Sequence, residues 1–196
     1  MTLKNYVIKP FENVQEKTLL LIGLSAGVVN CYLSTLTYSR SIAILKQATI
    51  NKNPSLLQTL GDYVITSLIM AIALFLLGRV INKRTRFIDI INTVLIARIG
   101  LDISVVFDIN GYMSSIVNQL LKNPQNPELL LQSDPWAMIY LIIVSLVSIL
   151  MLVLFGYYIY QGFKTATHLK KTSMIIVFVI TILAVDTLTR YITRLY

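Results

Sequence analysis

Cysteine is almost missing from this 196-residue chain, and Cys31 stands alone. That excludes an internal disulfide and any metal site built on paired thiols. Histidine is as scarce: the single His168 lies in a polar stretch between two apolar runs. With neither HExxH nor GxSxG present, zinc-protease and nucleophilic-serine chemistry of the motif-bearing kinds have no residues to stand on. A Gly-rich phosphate loop is absent too. Charge is sparse, at 13% of residues, and acids are the rarer sign, with nine Asp and Glu against 17 Lys and Arg. No enzyme and no cofactor is expected from such a repertoire.

What the chain has in quantity is apolar surface. It is 56% hydrophobic, with a mean hydropathy of +0.71. A soluble domain of this size could not cover that much apolar area, so the lipid bilayer is the expected solvent. The net charge of +8 does not indicate nucleic acid, because the basic residues sit at the ends of apolar runs instead of lining one polar face. The expected fold is all-α: a polytopic bundle of five transmembrane helices over 18–38, 63–81, 87–108, 136–160 and 173–191, with short interfacial helices. Residues 1–17 form an interfacial lead in which Pro10 opens a helical turn. The first apolar run is too long, and the residues before Cys31 too large, for a cleaved lipoprotein leader, so an uncleaved span is expected.

The connections have their own pattern. Ile42, Ile44 and Leu45 suggest a loop resting on the membrane surface. Met113, Ile116, Val117, Leu120 and Leu121 recur at helical spacing before Pro124, Pro127 and Pro135, which suggests a surface helix. Ten Lys and Arg lie in the lead, the 79–86 connection and the 161–172 loop, against six on the other side, where Arg40, Lys46 and Lys52 narrow the margin. The expected location is the cell membrane, with a cytoplasmic N-terminus and an external C-terminus. Gly23 and Gly27 give the first span a small-residue face for helix packing inside the monomer.

Charge within the apolar runs is the feature that carries chemistry. Counted at about 1.5 Å per residue, Asn30, Arg98, Asp102 and Asp186 fall roughly 17–23 Å into their spans, and Arg190 shares a face with Asp186. An Arg or Asp at mid-depth costs about 2.5–3.5 kcal/mol to insert, so these groups should face inward and pair. The expected arrangement is a polar lock in which Arg98 bonds Asp102 and Asp186; the alternative is a site for an ion, proton or polar solute. Leu60-Gly61-Asp62 is similar to the GxGD of intramembrane aspartyl proteases, but Thr59 replaces the first glycine and no partner motif follows.

The segment Arg86-Phe87-Ile88-Asp89-Ile90-Ile91-Asn92-Thr93-Val94-Leu95-Ile96-Ala97-Arg98, after its basic loop, resembles the third-helix region of bacterial Yip1-domain proteins. Arg86, Asp89, Asn92 and Arg98 carry the likeness. Lys9-Pro10-Phe11-Glu12-Asn13-Val14 also resembles that family's approach to its first span. The resemblance implies a five-helix bundle acting as a non-enzymatic scaffold or organiser, with other membrane proteins as partners. In eukaryotic relatives it implies small-GTPase partners and a long cytosolic lead; the short lead here puts GTPase binding in doubt. A small permease or ion-coupled carrier using the Arg/Asp layer is the rival expectation.

Overall fold

The structure, a computed structural model, describes residues 8–49, 54–122 and 134–193. Lys4, Lys52, Pro124, Pro127 and Arg194, which enter the loop expectations above, lie outside the described residues. Among the described residues there are seven α-helices: α1 (Pro10–Asn13), α2 (Glu16–Leu36), α3 (Leu56–Ile81), α4 (Phe87–Asp102), α5 (Tyr112–Lys122), α6 (Pro135–Thr167) and α7 (Thr172–Ile192). An antiparallel ribbon of β1 (Ser39–Ser41) and β2 (Gln47–Thr49) joins α2 to α3, and a 3-10 stretch, Ile103–Asp108, prolongs α4. Five helices, α2, α3, α4 with its extension, α6 and α7, are long and apolar enough to cross a membrane.

Two boundaries move from their expected places for local reasons. α3 starts at Leu56, well before 63, because Ser55 and Gln58 close a capping box: the Gln58 amide donates to Ser55 Oγ at 3.2 Å and the Ser55 amide to Gln58 Oε1 at 3.1 Å. Asp62 is therefore inside a helix and not at its end. α6 continues beyond 160 until His168 adopts a left-handed backbone, φ 55°. Its 33 residues span about 50 Å at 1.5 Å each, more than a hydrocarbon core of about 30 Å.

α4 is the hub of the bundle. Half of its apolar window is buried, against 11% for α6, and it packs on α2, α3 and α6. Such close packing needs small residues opposite large ones. Gly23 admits Leu95, where an added Cβ would fall 2.6 Å from the Leu95 Cβ, and Gly27 admits the Tyr63 ring at 2.5 Å. Gly162 does the same for Thr93, whose hydroxyl is held by the Asp89 carbonyl at 2.8 Å and cannot yield. Gly162→Ala is expected to cost about 1–3 kcal/mol by overpacking. Gly61→Ala, facing open space, should leave thermal unfolding in detergent unchanged or slightly raised. Equal melting temperatures for the two variants would contradict this packing.

The loop between α2 and α3 does not lie on the membrane surface. Its turn, residues 42–46, enters the bundle beside α7: Ala43 and Ile44 are buried, and Ile44 joins the apolar core with Phe155, Phe178, Ile182 and Val185. Non-helical backbone survives at this depth only where protein satisfies it. The Leu45 amide donates to Asp186 Oδ1 at 2.8 Å, and Thr193 Oγ1 donates to the Ile42 carbonyl at 2.6 Å. Arg40, in β1, makes a two-point ion pair with buried Asp62 at 2.7 and 2.8 Å. Arg40 is thus largely neutralised and is not a simple flank charge.

α5 follows the expected amphipathic pattern. Ile116 is buried against Ala137 at the start of α6 with Leu120 packed beside it, whereas Leu121 and Val117, expected on the same face, are exposed. Asp134 ties this end together, capping α6 at the Trp136 amide and accepting the Tyr112 hydroxyl at 2.6 Å. That hydrogen bond holds the Tyr112 phenol above its ordinary pKa.

Candidate functional site

The polar residues of the spans sort into two groups that depth alone did not separate. Arg98 lies roughly 17 Å along α4 and is the largest fully buried side chain. Its Nη1 donates to the Ser67 hydroxyl at 2.6 Å, the Thr66 hydroxyl at 2.8 Å and the Tyr63 carbonyl at 3.2 Å. Its guanidinium carbon sits 4.1 Å over the Tyr63 ring. Residues 63, 66 and 67 share one face of α3, and Thr66 turns its own proton to the Asp62 carbonyl at 2.7 Å, leaving its lone pairs for the arginine. Arg98 is therefore held by hydroxyls, a carbonyl and a ring, not by the carboxylates expected of it.

Asp102 lies one turn further and accepts from Asn30 Nδ2 at 3.0 Å, which fastens α2 to α4. It feels the Arg98 charge without a direct ion pair. The order of the two residues accounts for that. Helical side chains lean toward the N-terminus, so a cation placed before its acid at i, i+4 reaches away from it. Asp186 and Arg190 have the opposite order and do pair, at 2.7 Å. Asp186 also holds the Leu45 amide, so it serves the re-entrant turn and not the Arg98 layer, because α7 packs on α3. The expected lock between Arg98 and Asp186 is not formed.

Sequence reading missed Tyr63, Thr66 and Ser67. A signal was available: Thr59, Asp62, Tyr63, Thr66 and Ser67 form a polar stripe at helical spacing in an apolar helix, and all five are buried. Cys31 also belongs here, its thiol donating to the Thr59 carbonyl at 3.5 Å while the Thr59 hydroxyl donates to the Cys31 carbonyl at 3.2 Å. Among the described residues, buried Asn30 Oδ1 and Arg98 Nε of the layer have no hydrogen-bond partner, and the Tyr63 hydroxyl stands against the Asp102 carboxylate.

At the end bearing the 82–86 and 168–171 loops, Arg86 grips Asp89 through two bonds of 3.0 and 2.8 Å and also pairs with Glu16. The Asp89 and then the Glu16 hydrogen bonds raise the guanidinium pKa still further. Asn92 Nδ2 donates to the Glu16 carbonyl at 3.1 Å. Arg86, Asp89 and Asn92 thus clamp the start of α2, whereas Arg98 lies deeper. A cavity of about 640 Å³ opens here, lined by Arg84, Arg86, Asn92 and His168 among others. A second, of about 580 Å³, shares Thr165 and His168 with it. Among the described residues no group of three His, Cys, Asp or Glu is placed to hold a metal ion.

These features define a multi-pass α-helical membrane protein whose intramembrane charges meet their partners inside the bundle. No family model, curated protein or solved structure matches the chain.

Proposed function

We propose that the chain is a non-enzymatic scaffold or organiser of other membrane proteins, of the Yip1 type that Arg86, Asp89, Asn92 and Arg98 suggest, with its N-terminus in the cytoplasm. One observation carries the reading: the charges in the spans are engaged in joining elements of the bundle. Arg98 joins α4 to α3, Asp62 joins α3 to the ribbon through Arg40, and Asp186 joins α7 to the re-entrant turn. Side chains committed in this way hold a shape and are not free to exchange a solute. Neither cavity at the 82–86 and 168–171 end is lined by Asn30, Arg98, Asp102 or Asp186. The rival, a small permease or ion-coupled carrier, draws on the two buried polar atoms left without a partner in that layer, Asn30 Oδ1 and Arg98 Nε.

Native Cys31, buried one residue from Asn30, reports on water at that layer. In proteoliposomes it should resist membrane-impermeant thiol reagents from both sides. Single cysteines at the exposed Lys83 and Asn110, in a Cys31→Ala background, should label from opposite sides, Lys83→Cys from the cytoplasmic one. A photocrosslinker at lipid-facing Val80 in native membranes should give discrete protein adducts. Labelling of Cys31 together with an ion flux abolished by Asp102→Asn would replace the scaffold with the carrier, and lipid-only adducts would remove the scaffold.

A further inference from the structure

α6 and α7 are consecutive, yet they meet through rings and not by close backbone approach: Phe163 stacks on Phe178 at 4.6 Å, and Tyr160 meets the same ring edge-on at 6.3 Å. Beside this contact runs a cleft of about 480 Å³ with an almost wholly apolar lining, including Leu152, Phe155 and Ile159 of α6 and Ile175, Phe178 and Ile182 of α7. Leu152, Val179 and Leu183 along it are 47–56% exposed, so it opens sideways into the hydrocarbon. Its lining runs from 152 to 160 on α6 and from 175 to 183 on α7, about 12 Å at 1.5 Å per residue. That approaches the roughly 15 Å thickness of one leaflet. Leu45 of the re-entrant turn also lines the cleft, beside its deep end.

The shallow end has a different chemistry. Tyr160 lines the apolar cleft and also the cavity of about 580 Å³, where it is joined by Gln161, Lys164, Lys170 and the Lys9–Glu12 ion pair, whose charges cancel and leave the two α6–α7 lysines in excess. Lys164 Nζ lies 5.9 Å from the Tyr160 ring centre, and among the described residues neither Lys164 nor Lys170 makes an ion pair. Gln161 Oε1 is buried there without a donor. A cationic, acceptor-bearing bay thus leads into an acyl-sized slot one leaflet deep. We propose that this is a binding site for a single anionic phospholipid with a hydroxyl-bearing headgroup. One acyl chain lies between α6 and α7, the phosphate meets Lys164 and Lys170, and a headgroup hydroxyl donates to Gln161 Oε1.

Native mass spectrometry of the full chain, with palmitoyl-oleoyl phosphatidylglycerol or phosphatidylcholine added to the detergent, tests this directly. The unaltered chain should retain one phosphatidylglycerol in preference to phosphatidylcholine. Lys164→Gln with Lys170→Gln should weaken phosphatidylglycerol binding about fivefold per lysine and phosphatidylcholine binding less, because choline already offsets the phosphate charge there. Gly156 lines the cleft, and a Cβ there meets nothing within 4 Å, so Gly156→Leu starts its side chain in open space at the slot and should reduce retention of both lipids. Circular dichroism and melting temperature of that variant should match the unaltered chain. No preference for phosphatidylglycerol, or an effect of the lysines alone with Gly156→Leu silent, would overturn the site. Loss on Gly156→Leu with the lysine variant silent would overturn its anionic specificity.

Discussion

Arg98→Leu should lose about 3–5 kcal/mol of folding stability, the loss expected when one member of a buried charged group is removed and the rest left behind. The substitution strips three hydrogen bonds and a ring contact from α3 and leaves Asp102 with no cation near it. Adding Asp102→Leu removes that stranded carboxylate, so the double variant should be more stable than the sum of the two losses by about 1–3 kcal/mol. Arg98→Leu combined with Asp186→Leu should instead be additive within about 0.5 kcal/mol, since the two residues share no partner. Thermal unfolding in detergent reads all of these. Coupling between 98 and 186, or none between 98 and 102, would contradict the arrangement of these charges.

Ile44→Asp should expel the re-entrant turn from the bundle. A carboxylate cannot remain among Phe155, Phe178 and Ile182, so the turn leaves and takes with it the burial of Ile44, worth about 2–3 kcal/mol. The charge-assisted bond from the Leu45 amide to Asp186 goes too, worth about 1.5–3 kcal/mol. A total of about 3.5–6 kcal/mol follows, and a cysteine at Ala43 in a Cys31→Ala background should change from protected to reactive toward a soluble thiol reagent. If Ala43→Cys is equally reactive with and without Ile44→Asp, the turn does not dock as described.

The spans were legible because hydrocarbon imposes one demand everywhere: every backbone group must be satisfied within the segment, and only a long apolar helix does that locally. The amphipathic 112–122 helix was legible for a related reason, since Ile116 and Leu120 repeat on one face. Lateral neighbours were not. Counting residues from each span's start put Asp186 level with Arg98, but depth carries no information about which helix stands beside which, and α7 stands against α3. The Tyr63, Thr66 and Ser67 cradle was overlooked because hydroxyls in apolar helices satisfy themselves on the preceding turn and so draw little notice. Thr66 does this and still offers its lone pairs to Arg98. Residues 42–46 look like any short apolar loop, since their burial depends on an acid that follows 141 residues after Leu45.

That separation sets an order of assembly during biosynthesis. The turn leaves the ribosome well before the helix α7, whose Asp186 and following Thr193 receive it. At about 5–20 residues per second, a gap of 141 residues is roughly 7–28 s of synthesis. Throughout that interval the Leu45 amide and the Ile42 carbonyl lack their final partners, and lipid offers none, so the turn must wait at the aqueous surface. Its entry therefore has to follow the arrival of α7: a loop made early is seated late.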